Sequence, residues 1–387
     1  MADAQTPFNR PYTVGNELKY VAEALDHGQL SGNGAITRRC AEWLEQWSGS
    51  ARVLLTHSCT GALEMAGLLA EIGPGDEVVM PSFTFPSTAN AFVLRGATPV
   101  FVDVCAETLN MDCEQLEAAV GPRTRAIVPV HYSGIACDME TIGAVAAGAG
   151  AVVIEDAAQG VMASRFDRAL GSIGELGALS FHETKTLSSG EGGALLVNDP
   201  ELVARAEILL EKGTDRARFF RGEIDKYSWI DIGSSFLMSE VTAAFLYAQL
   251  EAADRIVAQR VATWERYHEG FAALESAGLV QRPLVPKGCR HNGQSYWLLL
   301  PSAELRDVLI AGLRERGIAA LFHYVPLHGT RAGRRWGRPV GDLSRTDELA
   351  ASMVRLPLWV GLPDAQVDRI VEAVSEQLSP TSVSTGS

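Results

Sequence analysis

Residues 178–197 read ALSFHETKTLSSGEGGALLV, and they decide how the rest of the chain is interpreted. An apolar run at 178–181 leads to Lys185, a glycine-rich loop follows at 188–193, and a second apolar run occupies 194–197. Lys185 is therefore predicted to lie in a tight turn between two buried strands. Burial there would lower the pKa of the ammonium and favour the neutral amine that attacks an aldehyde. An ordinary loop lysine beside a β-turn is the alternative interpretation of this stretch alone.

Six further short runs have the same apolar character as the strand before Lys185, and stretches of helical spacing separate several of them. The seven predicted strands are 52–56, 77–80, 99–103, 126–130, 151–154, 178–181 and 194–197. Runs that are apolar throughout are typical of strands buried on both faces. The pattern predicts an α/β fold with a mostly parallel seven-stranded sheet.

The C-terminal part of the chain has a different pattern and predicts a smaller α+β domain. A long helical stretch covers 239–274, and strands are expected at 295–300 and 318–325 with a helix at 303–316 between them. A last helix is predicted at 364–377. With 387 residues, the chain is long enough for two domains. We predict a large domain over 1–255 and a small one over 256–387, with a disordered tail at 379–387.

Composition excludes several classes of function. There are 33 basic and 47 acidic side chains, so the net charge is −14, which disfavours nucleic-acid binding. The six cysteines form no C-x-x-C pair, and no zinc-binding histidine motif is present, so we expect no metal site and no disulfide framework. The sequence has no signal peptide and no apolar run of membrane-spanning length. A cytoplasmic protein without membrane contact is predicted.

Ligands of a parallel sheet collect at the carboxyl ends of its strands, so the residues after each strand are the candidates for chemistry. Ser58, Cys59 and Thr60 follow the first strand and begin a helix, where free N–H groups favour a phosphate. Simple helix capping is the alternative for these three. Phe83 and Phe85 follow the second strand; one is expected to pack in the core and the other to lie against a planar ring.

Two acidic residues and a lysine complete the set of candidate residues at the strand ends. Glu155 and Asp156 directly follow a strand, where a half-buried carboxylate needs a cationic partner. A protonated pyridine nitrogen would supply that partner, although a salt bridge or helix cap would also do so. Lys185 follows 29 residues after Asp156. A phosphate site, an aromatic, an acid and a desolvated lysine in this order predict a pocket for pyridoxal 5'-phosphate, in which the lysine carries the Schiff base.

At this point the sequence resembles the DegT/DnrJ/StrS sugar aminotransferases, a family of fold-type I pyridoxal-phosphate enzymes, over about residues 8–375. Within that family it is most similar to WecE/RffA-type dTDP-4-amino-4,6-dideoxygalactose transaminases. The motifs that carry the family resemblance are 58–60 (SCT), 81–85 (PSFTF), 155–159 (EDAAQ), 180–185 (SFHETK) and 190–193 (GEGG). The closer likeness depends on 211–216 (EKGTDR), 219–222 (FFRG) and 225–235 (DKYSWIDIGSS).

The resemblance implies a role for each cofactor-binding residue. Lys185 bonds to the cofactor, Asp156 pairs with the pyridinium nitrogen, Gln159 approaches the phenolic oxygen, and Phe85 stacks on the ring. The implied phosphate contacts are Cys59, Thr60 and Ser180. The family commonly adds an asparagine from the neighbouring subunit; here the aligned position falls near Leu237, and Ser235 is the nearest polar substitute.

The resemblance also implies the reaction and its partners. L-glutamate leaves its amine on the cofactor, and the pyridoxamine phosphate form then aminates C4 of a dTDP-4-keto-6-deoxyhexose. A homodimer or a dimer of dimers with active sites at the subunit interface is expected. Lys185 would move the proton between cofactor and sugar.

Candidate substrate contacts lie in one loop and in two smaller groups. The loop combines Arg216, Arg221 and Lys226 with Phe219 and Tyr227, a mixture suited to a diphosphate and a base or sugar face, although a solvated basic loop would look the same. The smaller groups are Ser31 with Gly32, and His323 with Tyr324.

Three rival functions fit parts of the sequence. A 3-aminotransferase acting on a dTDP-3-keto-6-deoxyhexose differs only in the position aminated, and residues 211–235 favour the 4-keto substrate. A non-enzymatic sensor on the same fold would need an added partner domain. An NAD-dependent oxidoreductase would need a strand, a G-x-G-x-x-G turn and a helix near the start, and the sequence has none.

Overall fold

The computed structural model describes residues 5–379. The predicted disordered tail lies outside the described residues except for Ser379. The described part contains thirteen strands. They are β1 (Arg52–Thr56), β2 (Glu77–Pro81), β3 (Thr98–Val102), β4 (Thr124–Ile127), β5 (Val152–Asp156), β6 (Ser164–Arg165), β7 (Arg168–Ala169), β8 (Leu176–Ser180), β9 (Gly193–Val197), β10 (Cys289–Arg290), β11 (Tyr296–Leu299), β12 (Arg338–Pro339) and β13 (Met353–Leu356).

Fifteen α-helices and four single 3₁₀ turns connect these strands within residues 5–379. The helices are α1 (Glu17–Asp26), α2 (Ala35–Ser48), α3 (Cys59–Leu69), α4 (Pro86–Val93), α5 (Leu116–Ala119), α6 (Met139–Ala149), α7 (Val203–Leu210), α8 (Arg216–Phe220), α9 (Glu240–Glu251), α10 (Ala253–Gly270), α11 (Ala272–Ser276), α12 (Ala303–Glu315), α13 (Arg331–Trp336), α14 (Ser344–Ser352) and α15 (Asp364–Leu378). The 3₁₀ turns are Cys113–Gln115, Tyr132–Gly134, Pro200–Leu202 and Leu327–Gly329.

The main sheet has the order β1-β9-β8-β5-β4-β2-β3-β12 and is mostly parallel. Only β9 runs against its neighbours, with Leu195 opposite both Leu54 of β1 and Ala178 of β8. All seven strands predicted for this sheet are present. The eighth, β12, was missed because its two residues are too short to show a pattern; it pairs in parallel with β3.

The strands of the main sheet are buried on both faces, as their continuous apolar sequences predict. In β1, Leu54 joins the core formed with α3, whereas Val53 and Leu55 join the core formed with α2 and α9. This alternation follows from the two-residue period of a strand. The sheet is therefore a middle layer between helices and holds the ends of β1, β5 and β8 in fixed relative positions.

The C-terminal part has a core of its own, which contains Trp264, Tyr267, Leu313 and Ile370. Here β11 and β13 form an antiparallel pair, and α12 packs against both β13 and α15. The expected strand at 295–300 and helices at 303–316 and 364–377 are present within one or two residues. The predicted domain boundary at 255/256 stays a prediction.

The strand predicted at 318–325 is wrong. Ile318 makes a single bridge to Thr6, and Leu321 makes a single bridge to Arg355 of β13. Because these two partners belong to different segments, no continuous ladder forms, and the apolar run continues as an irregular chain into His323 and Tyr324. Among the helices of residues 5–379, none has the length and apolar character needed to cross a membrane.

Candidate active site

A cavity of about 530 Å³ opens where β5 and β8 end, beside the first turn of α3. This volume is within the range of roughly 300–1,000 Å³ for small-molecule sites. The cavity wall brings together nine residues singled out from the sequence: Cys59, Thr60, Phe85, Asp156, Gln159, Ser180, Lys185, His323 and Tyr324. The C-terminal part of the chain contributes Leu321 and Arg355 to the cavity wall.

Lys185 lies in the turn after β8, with its backbone N–H donating to the His182 carbonyl at 2.9 Å. Burial lowers the pKa of its ammonium, and the positive charge of Arg355 lowers it further, although Cys59 and Asp156 act in the opposite direction. The pKa of Lys185 is therefore shifted downward, as expected for a desolvated lysine. A neutral amine that faces the cavity can form an imine with an aldehyde or carry a proton.

Asp156 ends β5 and is almost fully buried, with 5% of its surface exposed. Its Oδ2 accepts a hydrogen bond from Thr88 Oγ1 at 2.7 Å, and its Oδ1 accepts one from the Ala158 N–H at 3.1 Å. No cation pairs with this carboxylate within residues 5–379, since none of the salt bridges involves it. A buried carboxylate in this position can hold a cationic group of a ligand.

The first turn of α3 forms the opposite end of the cavity. Ser58 caps the helix by accepting a hydrogen bond from the Gly61 N–H at 3.1 Å, which leaves the N–H groups of Cys59 and Thr60 without intrahelical acceptors. A side chain at Gly193 would collide with the backbone of Ser58 and Cys59. That glycine allows β9 to pass directly behind the helix start, which places the first turn of α3 beside Ser180.

A network of hydrogen bonds orders the wall next to Asp156. Gln159 accepts from the Ser133 N–H at 2.8 Å and donates to the Tyr324 hydroxyl at 3.3 Å. The ring of His323 stacks on Tyr324 with centroids 3.5 Å apart, and burial lowers the pKa of His323 to about 2. His323 is therefore neutral, and its Nδ1 lies 3.1 Å from the Tyr132 hydroxyl.

The two phenylalanines after β2 have different environments. Phe83 is buried against Tyr132 in the core, with 1% of its surface exposed. Phe85 begins α4 and exposes 57% of its surface at the cavity mouth. Only Phe85 is free to lie against a bound ring.

Eight other predicted residues lie outside the cavity wall. They are Ser31, Gly32, Arg216, Phe219, Arg221, Lys226, Tyr227 and Ser235. Residues 29–34 and 211–235 adjoin each other, since Asn33 donates to Glu211 at 3.0 Å and Glu211 forms a bridge with Ser235. We call these two segments the loop surface.

The arginines of the loop surface already have carboxylate partners in the same chain. Arg216 lies 3.1 Å from Glu211, and Arg221 lies 2.8 Å from Glu207 and 2.6 Å from Glu223. A diphosphate would have to compete with these carboxylates. The loop surface also exposes large apolar side chains: Phe220, Trp229, Ile230 and Ile232.

Sequence reasoning missed four functional candidates. Thr88 could have been found, because it follows Phe85 by one helical turn and so reaches the same end of the sheet. His131, which pairs with the predicted Glu155, and Arg260 and Arg355 gave no motif, because their contacts join distant segments. Within residues 5–379 no cluster of three or more metal-ligating side chains is present.

The fold and the cavity define the class of protein. A lysine amine, a buried carboxylate without a cationic partner, an exposed aromatic and a helix N-terminus match the aldehyde, the ring nitrogen, the ring face and the phosphate of pyridoxal 5'-phosphate. The described residues therefore fit this cofactor, and the protein is a pyridoxal-phosphate-dependent aminotransferase of fold-type I.

The chain belongs to the DegT/DnrJ/EryC1/StrS aminotransferase family, whose profile matches residues 11–375. The spore coat polysaccharide biosynthesis protein SpsC of Bacillus subtilis is 34% identical over 378 residues, covering 96% of each chain. The GDP-perosamine synthase of Caulobacter vibrioides is 33% identical over 372 residues, covering 95% of this chain and 97% of the relative. Family membership confirms the resemblance to sugar aminotransferases and makes the chain an enzyme.

A solved structure supports the cofactor. A Streptococcus pneumoniae protein assigned as a sugar aminotransferase, in its PLP form, superposes with a TM-score of 0.88 at 25% identity, covering 97% of this chain and 100% of that one. The same protein is also known in a PMP form, again with a TM-score of 0.88. Pyridoxal phosphate, with its pyridoxamine form, is accordingly the cofactor of this enzyme.

Proposed function

We propose that this enzyme transfers an amino group from L-glutamate to C4 of a dTDP-linked 4-keto-6-deoxyhexose. The support is the family, the cavity that holds a desolvated lysine, and the likeness of residues 211–235 to the 4-keto branch. The single observation that carries the proposal is the presence of Lys185 and Asp156 in the wall of one cavity. Each of the two can then act on a different part of one cofactor ring.

The bound cofactor supplies an electron sink for the carbon that gains or loses a proton. Lys185 supplies the base, because burial lowers the pKa of its amine and so favours the neutral form. The amine of Lys185 would hold the cofactor between turnovers and, once released, would serve as the base that accepts and returns a proton. Since the lysine is in a turn between β8 and β9, its reach is fixed by the sheet.

Asp156 keeps the ring nitrogen protonated and fixes the ring's orientation in the cavity. Thr88 and the Ala158 N–H hold the carboxylate in place and leave it room for one more donor. Cys59, Thr60 and Ser180 anchor the phosphate at the start of α3. Gln159 and Phe85 complete the cofactor site by contacting the ring oxygen and the ring face.

We further propose that a second copy of the chain completes the site, as a homodimer or a dimer of dimers. Ser235 and the loop surface are exposed and lie outside the cavity of their own chain, and the neighbouring apolar side chains favour contact with protein. In such an assembly Ser235 would reach the partner's cofactor phosphate. Ser31, Gly32, Arg216, Phe219, Arg221, Lys226 and Tyr227 would reach the nucleotide part of its substrate, and His323 and Tyr324 the sugar in their own cavity.

A second candidate substrate is a GDP-linked 4-keto-6-deoxyhexose. The observation that favours it is the 33% identity, over nearly the full length of both chains, to the GDP-perosamine synthase. Both candidates place the ketone at C4, and their nucleotides differ in the base and in the 2′-hydroxyl group of the pentose.

The experiment is to incubate the enzyme with L-glutamate and either dTDP- or GDP-4-keto-6-deoxymannose or -glucose, and to assign the product by NMR. We expect an amine at C4 and a preference for the dTDP sugar. A preference for the GDP sugar would favour the second candidate. Amination of a dTDP-3-keto-6-deoxyhexose supplied in a parallel incubation, without amination of the 4-keto sugars, would favour the 3-aminotransferase. Cofactor binding without amine transfer to any of these sugars would overturn the proposal.

A further inference from the structure

The hydroxyl of Tyr132 and the imidazole of His323 form a hydrogen bond behind the cavity wall. The hydroxyl oxygen lies 3.1 Å from Nδ1 of His323, and within residues 5–379 neither side chain makes another hydrogen bond. Tyr132 is fully buried, whereas His323 is partly exposed and lines the cavity. The pair therefore connects the protein core to the place where a sugar is expected.

The position of the Tyr132 ring is fixed by the chain around it. The backbone N–H of Tyr132 donates to Oδ1 of Asn110 at 2.9 Å, and Nδ2 of Asn110 donates to the Ile135 carbonyl at 3.0 Å. The ring packs edge-to-face against Phe83, with centroids 5.1 Å apart. The hydroxyl of Tyr132 is thus a fixed point that orients the imidazole of His323.

Both groups are neutral in the folded protein. Burial raises the pKa of Tyr132 well above its ordinary value, so the hydroxyl keeps its proton. Burial, together with the positive charges of Arg355 and Lys185, lowers the pKa of His323 to about 2. A neutral imidazole carries one proton, either on Nδ1 or on Nε2.

The hydrogen bond to Tyr132 selects one of these two tautomers. If Nδ1 of His323 carried the proton, it would donate to the Tyr132 oxygen and leave the Tyr132 O–H without an acceptor in the core. An unpaired buried donor is costly enough to favour the other tautomer by roughly 5- to 150-fold. Tyr132 therefore donates to Nδ1, and the proton of His323 is on Nε2. Because Nε2 makes no hydrogen bond within residues 5–379, its N–H remains for a ligand.

We propose that His323, oriented by Tyr132, donates a hydrogen bond from Nε2 to the carbonyl oxygen of the keto sugar. This inference rests on the proposed function, because it requires a keto sugar as the amino acceptor. His323 is then a catalytic residue, and Tyr132 is a positioning residue that acts through it.

The hydrogen bond would polarise the carbonyl for addition of an amine. When the amine nitrogen adds to the carbonyl carbon, the C=O electron pair moves to the oxygen, which takes the proton that the nitrogen loses. His323 keeps its own proton and stabilises the charge that develops on the oxygen. A neutral imidazole can do this without placing another positive charge beside Lys185.

The neighbours of His323 favour a carbonyl oxygen as its ligand. The charge of Lys185 contributes to lowering the pKa of His323, so the two side chains are close. The sugar carbon that gains the amine must approach Lys185, and the carbonyl oxygen is attached to that carbon. A carbonyl only accepts hydrogen bonds, and Nε2 of this tautomer only donates one. Tyr324 differs, because its hydroxyl accepts from Gln159 at 3.3 Å and can turn its own proton.

The first test follows the two half-reactions separately by the visible absorbance of the cofactor. Tyr132→Phe removes the hydroxyl that orients His323, so the reaction of the pyridoxamine form with saturating keto sugar should slow by roughly 10-fold. The reaction of the pyridoxal form with L-glutamate should be unchanged. The matched control is Tyr267→Phe, which removes another buried hydroxyl, one that donates to the Pro357 carbonyl at 2.9 Å. This control should change neither half-reaction.

Variants of His323 test which atom donates. His323→Phe removes the donor and should slow the keto-sugar reaction by about 100-fold, as for the loss of one donor to a developing oxyanion. His323→Gln places an amide N–H near the position of Nε2 and should recover part of the rate. His323→Asn has a shorter side chain whose amide corresponds to Nδ1, so it should recover none. Equal rates for His323→Gln and His323→Asn would overturn the assignment to Nε2.

The tautomer itself can be measured without turnover, by nitrogen NMR of the cofactor-loaded enzyme with isotopically labelled histidine. The signal that disappears in His323→Gln assigns His323. We expect its proton on Nε2 in the wild type. A proton on Nδ1 would overturn the inference.

The outcomes separate this inference from the proposed function. If the wild-type enzyme reacts with no keto sugar, the proposed function fails, and that result is visible before any variant is made. If the wild type reacts but Tyr132→Phe reacts equally fast, or slows equally in both half-reactions, the inference fails and the proposed function stands. Slowing of the keto-sugar reaction in Tyr267→Phe as well would attribute the effect to lost stability and overturn the role of Tyr132.

Discussion

The cavity and the loop surface use the same residue types in opposite ways. In the cavity, Lys185, Asp156 and Arg355 are removed from bulk water and lack partners of opposite charge in the described part of the chain. On the loop surface, Arg216 and Arg221 are partly exposed and paired with glutamates. An ion pair within the protein helps to order the chain itself. A buried charge that has no ion-pair partner in the protein is available to bind a ligand. The difference identifies the cavity as the site of chemistry.

Replacing the cavity carboxylate should have the largest effect. Asp156→Asn keeps the shape but removes the negative charge that holds the ring nitrogen protonated, and we expect amine transfer to fall by about 10³–10⁴-fold. Steady-state turnover with saturating glutamate and keto sugar measures it. Asp254→Asn, an exposed residue of α10, is the control. Turnover within a factor of ten of the wild type would show that Asp156 does not perform this role.

The buried His131–Glu155 pair, adjacent in sequence to Asp156, extends the comparison between the cavity and the loop surface to protein stability. Glu155 is fully buried and accepts hydrogen bonds from His131 at 2.7 Å and from the N–H groups of Gly171, Ile173 and Gly174 at 2.6–2.9 Å. Because Glu155→Ala leaves these donors unpaired, the free energy of unfolding should fall by about 3–5 kcal/mol. Urea unfolding measures the change. A loss below about 1 kcal/mol would contradict this role.

The pH dependence of stability tests the desolvation of Lys185. Burial lowers the pKa of this lysine below its ordinary value of 10.5, so the unfolded chain binds more protons between the folded value and 10.5. The free energy of unfolding of cofactor-free protein should therefore rise with pH across that window. Lys185→Met lacks this contribution, so its stability advantage over the wild type should be greatest near neutral pH and shrink as the pH approaches 10.5.

Thermal unfolding over that pH range measures the difference. The control is Lys287→Met at an exposed position, which should show no such trend. A stability difference between Lys185→Met and the wild type that stays constant from pH 7 to pH 10 would mean that Lys185 is not desolvated.

The smallest effect is expected on the loop surface. Arg221 is 46% exposed in its pairs with Glu207 and Glu223, and exposed ion pairs contribute about 0–1 kcal/mol. Arg221→Ala should lower the free energy of unfolding by less than about 1 kcal/mol, as measured by urea unfolding beside Glu155→Ala. A loss as large as that of Glu155→Ala would remove the distinction between the two regions.

The sequence predicted the cavity better than the loop surface for a physical reason. Asp156 is the last residue of β5 and Lys185 lies in the turn after β8, so the sheet determines where they lie. Arg216 and Arg221 pair with glutamates that lie 2 to 14 residues away along the chain, and no periodic pattern in this segment indicates which charges will pair. Arg355 was missed because its strand reads as apolar core, and only the contacts of the folded chain show that its charge is unpaired.

Short and irregular elements were the other part of the structure that the sequence did not predict. Strand β12 has too few residues to produce a pattern, and residues 318–325 have the apolar character of a strand without a continuous neighbour to pair with. Strand pairing depends on the partner as much as on the segment itself. The long helices α10, α12 and α15 were predictable because their apolar faces repeat over several turns.

The central claim is that residue 185 holds the cofactor from the turn between β8 and β9. The most direct measurement is to treat the purified holoenzyme with borohydride, digest it and locate the cofactor by mass spectrometry. The account predicts a pyridoxyl group on Lys185 in the wild type and none in Lys185→Ala, with Lys287→Ala labelled like the wild type. A pyridoxyl group on another lysine, or labelling that persists in Lys185→Ala, would contradict it.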